Sequence, residues 1–117
     1  MTIEEEFISW IEGIIEDDPI PYEIKSLVFY LNSHFEIGFS GTEKEKVEIV
    51  DRFFYEPLEA QFFYCTKLYK QFYEKKDIDF CLIVLEKLLK NLKKNKNFCK
   101  FNIYYGKMLA PTKIIEN

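Results

Sequence analysis

Apolar and polar residues alternate along this chain in two different rhythms, and the rhythm changes with position. Over residues 3–17 the apolar positions are Ile3, Phe7, Ile8, Trp10, Ile11, Ile14 and Ile15, whose offsets of 3, 4 and 7 define one face of an α-helix. Thr2 and Glu5 have capping-box spacing, and Glu4 to Glu6 suit the positive end of a helix dipole. Gly13 weakens the helix by about 1 kcal/mol relative to alanine. Asp17-Asp18-Pro19 ends it, because the residue before a proline avoids the helical region.

After the extended Pro19-Ile20-Pro21, the run Ile24 to Leu31 is rich in strand formers. Asn32-Ser33 reads as a turn, and Phe35-Glu36-Ile37-Gly38-Phe39 alternates with period two, as a half-buried strand does. These segments predict an antiparallel hairpin turning at residues 32–34 and closed by Ser40-Gly41-Thr42. Residues 43–73 are ambiguous. Leu58, Phe62, Cys65, Tyr69 and Phe72 keep helical spacing, but the composition of Val47 to Tyr55 and of Gln61 to Cys65 favours strands at about 47–55 and 60–66.

The next helix is unambiguous. Asp77 can cap it, and Ile78, Cys81, Leu82, Leu85, Leu88, Leu89 and Leu92 form its stripe. Glu86 and Lys90 are an i,i+4 pair in the favourable order, and Lys93, Lys94 and Lys96 sit at the negative end of the dipole. Asn95 or Asn97 can stop it. Phe101 to Tyr105 predicts a short strand turning at Gly106, and Lys113-Ile114-Ile115 a final edge strand or tail. The expectation is one α+β domain over residues 1–117, with an antiparallel sheet packed against an N-terminal helix and a late lysine-rich helix.

Composition narrows the class. The chain has 117 residues, 48% hydrophobic and 18% aromatic, too apolar for disorder and long enough for a real core. No apolar run approaches a membrane span, and the acidic start Met-Thr-Ile-Glu-Glu-Glu lacks the basic region of a signal peptide, so a cytoplasmic location away from membranes is expected. Cys65, Cys81 and Cys99, an odd and widely spaced set, point to a reducing compartment and to three small buried hydrophobes rather than disulfides.

The charge is lopsided. Residues 1–64 carry 15 acidic and 4 basic side chains, and residues 65–117 carry 5 acidic and 12 basic ones. Such an asymmetry means either that the halves face each other or that each faces a different partner. The lysines from Lys87 to Lys100 form a basic stretch, but the chain has one arginine, Arg52, and a net charge of −4, which argues against nucleic acid.

Chemistry-bearing motifs are missing. There is no phosphate-cradling glycine loop, Gly38-Phe39-Ser40-Gly41 lacks nucleophile-elbow spacing, and a single histidine, His34, without a CxxC gives no zinc pattern. The acidic clusters Glu4 to Glu6 and Glu16 to Asp18 lack EF-hand spacing and read as helix-end electrostatics. Neither a catalytic set, a metal nor a cofactor is expected.

The aromatic runs Phe53-Phe54-Tyr55 and Phe62-Phe63-Tyr64 would put rings on both faces of a strand pair, one face core and the other exposed or covered by a helix. An interface drawn from these features comprises Glu36, Glu43, Glu45, Glu48, Asp51, Glu56 and Glu59, which would steer a basic protein partner, and Phe53, Tyr55 and Phe63, which would anchor it.

The segments Phe7-Ile8-Ser9-Trp10-Ile11-Glu12, Ile20-Pro21-Tyr22-Glu23-Ile24-Lys25 and Phe35-Glu36-Ile37-Gly38-Phe39-Ser40-Gly41-Thr42, with the helix from Asp77, resemble small cytoplasmic immunity proteins of bacterial polymorphic-toxin loci. The likeness covers residues 1–45 and the late helix. It implies a non-catalytic protein that blocks a toxin domain by steric occlusion, and it carries over no functional residue. Two other readings stand beside it. One is a structural protein, a homo-oligomer whose acidic and basic surfaces mate between copies. The other is a small enzyme with a pocket near His34 or a cysteine.

Overall fold

The computed structural model of this chain describes residues 1–48, 55–57, 62–63 and 65–116. Helix α1 spans Ile3–Asp17, strand β1 Ser26–Leu31, strand β2 Ile37–Thr42, helix α2 Thr66–Lys75, helix α3 Ile78–Lys93, strand β3 Asn102–Lys107 and strand β4 Ala110–Ile114. Both caps expected from the sequence are present. The Thr2 hydroxyl accepts from the Glu5 N–H while the Glu5 carboxylate accepts from the Thr2 N–H, and Asp77 accepts from the N–H groups of Asp79 and Phe80.

The strands form one sheet in the order β2-β1-β3-β4. β1 pairs antiparallel with β2 and β3 antiparallel with β4, whereas β1 and β3 run parallel. The fold is α+β, as expected, but the sheet is mixed rather than wholly antiparallel. The reason lies in β1: Leu27, Val28 and Phe29 are all fully buried, so this strand is covered on both faces and flanked on both edges. Its second neighbour arrives through a crossover carrying α2 and α3, the connection that a parallel pair requires.

The two faces divide by parity. Leu27, Phe29 and Leu31 of β1, Ile37 and Phe39 of β2 and Ile103 and Tyr105 of β3 face a core completed by Phe7 and Ile11 of α1, Leu68 and Phe72 of α2 and the leucine stripe of α3. On the other face Val28 and Tyr104 meet Val47. Segment 43–48 lies across this second face. Ser26 Oγ donates to the Lys44 and Glu45 carbonyls at 2.7 and 3.1 Å, and the Glu45 carbonyl also accepts from Asn102 Nδ2 at 3.2 Å and the Tyr104 hydroxyl at 3.0 Å.

The middle of the chain differs from expectation. Of the strands expected at 47–55 and 60–66, residues 49–54, 58–61 and 64 lie outside the described residues. Val47 and Glu48 are not in a strand; Tyr55 and Phe63 make isolated antiparallel bridges to Gly41 and Ile37 on the edge of β2 away from β1. Helix α2 begins at Thr66, so the helical spacing of Cys65, Tyr69 and Phe72 outweighs the strand composition there. Ser40, Gly41 and Thr42 extend β2 rather than closing the hairpin. At the C-terminal end β3 continues through Gly106, which sits at a register shift with φ +157°, and the turn falls at Met108-Leu109. The expected final strand is present and begins earlier, at Ala110.

Candidate functional site

The end of α1 is electrostatically unusual. Its last turn contains no basic residue and is followed by Asp18 as the C-cap, so Glu16, Asp17 and Asp18 add negative charge where the dipole is already negative. Helix-end electrostatics therefore account for Glu4 to Glu6 and fail for Glu16 to Asp18. This unfavourable end is held in place. The Tyr55 hydroxyl donates to the Asp18 carbonyl at 2.5 Å, and the Tyr55 backbone exchanges two hydrogen bonds with Gly41. Burial, reinforced by the charge of Asp18, pushes the Tyr55 phenol far above its ordinary pKa.

Beside that helix end lies a half-open groove of about 850 Å³. One wall is the C-terminal half of α1, with Glu12, Ile15 and Glu16. The stretch Pro19 to Tyr22, which enters a turn closed by the bond from the Ile24 N–H to the Pro21 carbonyl, forms an apolar border on which Tyr22 is 94% exposed. The turn after α3 and the start of β3 contribute a second wall, with Asn97, Lys100, Asn102 and the buried rings of Phe98 and Phe101, and Lys25 and Glu45 also line the groove. Lys93 builds this wall. Its ammonium donates to the Cys99 carbonyl at 3.1 Å and to the Phe101 carbonyl, fastening the turn after α3 to the helix. The volume falls in the range of ligand-binding sites, and the lining combines an apolar floor with polar groups on both sides.

The residues expected to form an interface fall into four groups. Glu43, Glu45, Glu48 and Glu56 are exposed. The first three stand on the segment moored to the sheet, and Glu45 borders the groove. Glu56 faces the half-buried Tyr30, whose phenol is raised above its ordinary range by burial and then by that carboxylate. Glu36 is half-buried and belongs to the hairpin turn: its carboxylate accepts from Asn32 Nδ2 at 3.0 Å, and Asn32 Oδ1 accepts from the N–H groups of His34 and Glu36. Asp51, Phe53 and Glu59 lie outside the described residues.

Tyr55 and Phe63 are not exposed anchors. Both are buried, Phe63 edge-on against Phe7 at 5.2 Å and Tyr55 edge-on against Phe39 at 5.7 Å. Among the described residues of the aromatic runs, Phe62 is the exposed one: it stands edge-on to Tyr30 and is 38% exposed, while its neighbour Phe63 turns into the core. Gly38 makes room for this pair, since a Cβ there would meet the Tyr30 ring at 2.4 Å and the Phe62 ring at 2.8 Å.

The other reactive side chains have local roles. His34 is an exposed turn residue. Cys65 is buried and donates its thiol to Glu6 Oε2 at 3.0 Å. Cys81 is buried, and burial with the charge of Asp77 raises its thiol to about 11. Cys99, expected to be buried, is exposed on the turn after α3. The groove is lined by neither His34 nor a cysteine, and the described residues hold no group of three or more His, Cys, Asp or Glu side chains placed for a metal. No described helix is long and apolar enough to cross a membrane.

Sequence reasoning missed the groove. Its one legible signal is the sign of the charge at the end of α1, because acidic residues at a helix C-terminus oppose the dipole. Comparison with protein-family models, curated proteins and solved structures returns no match.

Proposed function

We propose that this chain is a non-catalytic protein-binding module, immunity-like in mode of action, which occludes a site on a basic partner such as a toxin domain. The observation that carries this reading is the ridge formed by segment 43–48, whose exposed Glu43, Glu45 and Glu48 outnumber the interleaved Lys44 and Lys46 and leave it net negative. Its backbone is tied to the sheet by hydrogen bonds from Ser26, Asn102 and Tyr104. Carboxylates on a fixed backbone steer a cationic partner and lose little entropy when it docks. The exposed ring of Phe62 beside Tyr30 and Glu56 supplies an aromatic anchor of the kind that dominates interface energetics. Its setting is a reducing, cytoplasmic compartment.

The test is a pulldown from the native host at low salt, with light scattering on the eluted complex. A stoichiometric partner released by salt is the expected result. Self-association is the second reading, favoured by the outer edge of β4. Among the described residues this strand pairs with β3 alone, and Ile114 with the neighbouring Met108 and Leu109 is exposed. Oligomers formed without another protein would select it.

A further inference from the structure

We propose that the groove beside the end of α1 is the seat of an extended segment of the partner polypeptide, one that carries an arginine or lysine next to an apolar residue. This deepens the protein-binding reading and rests on it. Three features of the groove select that occupant. The α1 wall offers two carboxylates one helical turn apart, Glu12 and Glu16, at a helix end whose dipole and acidic cap add to their potential. A cationic side chain is what this wall attracts. The floor and border, made of Ile15, Pro19, Ile20, Pro21, Phe98 and Phe101, accept an apolar neighbour.

The third feature distinguishes a peptide from a simple cation. Away from α1 the lining adds Asn97, Lys100, Asn102 and Lys25, with the carboxylate of Glu45 among them. The two ammonium groups repel a free cation, while the lysine and amide N–H groups can donate to the carbonyl oxygens of an extended main chain. Tyr22 stands almost fully exposed at the rim, where it can close over a bound segment. An organic cation would satisfy one wall; a peptide with a basic side chain satisfies both.

Panning a phage-displayed library of random dodecapeptides against the folded protein tests this. The expected outcome is enrichment of peptides with arginine or lysine beside an apolar residue. Their synthetic versions should shift the backbone amide resonances of residues 12–25 and 97–102. The double variant Glu12→Gln/Glu16→Gln should bind them about tenfold more weakly, each exposed carboxylate–cation contact contributing a factor of about three. Lys87→Ala, on the exposed face of α3, should bind them as the parent does.

Failure to enrich, enrichment without a basic residue, unchanged binding by the double variant, or displacement by free arginine as effective as by peptide would each overturn the assignment. Retention of the partner from the host by the double variant, together with its loss on neutralising Glu43 and Glu48, which do not line the groove, would overturn the groove and leave the protein-binding reading standing.

Discussion

The Tyr55 hydroxyl donates to the main-chain carbonyl of Asp18 at 2.5 Å, across 37 residues of sequence. Tyr55 is also bonded through both backbone groups to Gly41 on the edge of β2. One side chain therefore couples the acidic end of α1, which forms a wall of the groove, to the sheet. Tyr55→Phe keeps the ring against Phe39 and removes the bond. It should cost about 1 kcal/mol and lower the melting temperature by a few degrees, measured by thermal denaturation followed by circular dichroism.

Alkaline pH should unfold the protein. Burial raises Tyr30, Tyr55, Tyr105 and Cys81 above their unfolded values. A group with a raised folded pKa stabilises fully below its unfolded pKa and ceases to as pH climbs through the folded one. Above pH 9 the unfolded Cys81 thiol loses its proton before the folded one, which holds it to about 11, and the tyrosines follow from about 10 upward. Urea titrations should show stability falling from about pH 9. Tyr55→Phe should flatten the part of the decline above 10.

Gly106→Ala should be strongly destabilising. The backbone there has φ +157°, which side chains rarely adopt, and a Cβ would stand 2.7 Å from the Ala110 carbonyl oxygen and 3.0 Å from the Pro111 Cα. A loss of about 2 kcal/mol or more is expected. Hydrogen exchange should show β4 losing protection ahead of β1.

Helix α2 ends on Lys76 in the left-handed conformation, φ 49°, a position that glycine fills without strain. Lys76→Gly should raise stability by up to about 1 kcal/mol, reduced by the lost contact of its ammonium with the Tyr73 ring at 4.9 Å. Lys76→Ala, which keeps the strain and loses the contact, should be less stable than the parent in the same chemical denaturation.

The lysines near α3 are not equivalent. Lys93 donates to two carbonyls of the turn that forms the groove wall, whereas Lys87 is exposed. Lys93→Met should cost about 1–2 kcal/mol, and Lys87→Met should stay within about 0.5 kcal/mol of the parent. Chemical denaturation of the two variants side by side checks this.

Much of the architecture is legible in the sequence because local signals agree. Thr2 with Glu5 and Asp77 with its leucine stripe announce α1 and α3 at their starting residues. The hairpin is readable from Asn32, whose side chain organises the turn. The parallel pairing of β1 and β3 is not readable, because it depends on contacts between Leu27 and Ile103 that are distant in the chain. Helix α2 is obscured by its aromatic content: Phe72 is a strand former by propensity and is helical here because it fills the core between α2 and α3. Of the interface, the exposure of Glu43, Glu45 and Glu48 follows from their charge. Choosing Phe62 over Phe63 as the outward ring needs the bridge of Phe63 to Ile37.

The central claim, that the acidic ridge binds a basic protein, is tested most directly by comparing the parent with the variant Glu43→Gln/Glu45→Gln/Glu48→Gln. Each is used as bait in the host extract at low salt, and the complex is sized by light scattering. The Glu45 carbonyl that anchors the segment belongs to the backbone, so the substitutions leave the mooring bonds intact. The account predicts a stoichiometric partner on the parent, released by salt, and binding at least about tenfold weaker on the variant. A parent protein that emerges as a bare monomer, or a variant that holds the same partner equally well, would contradict it.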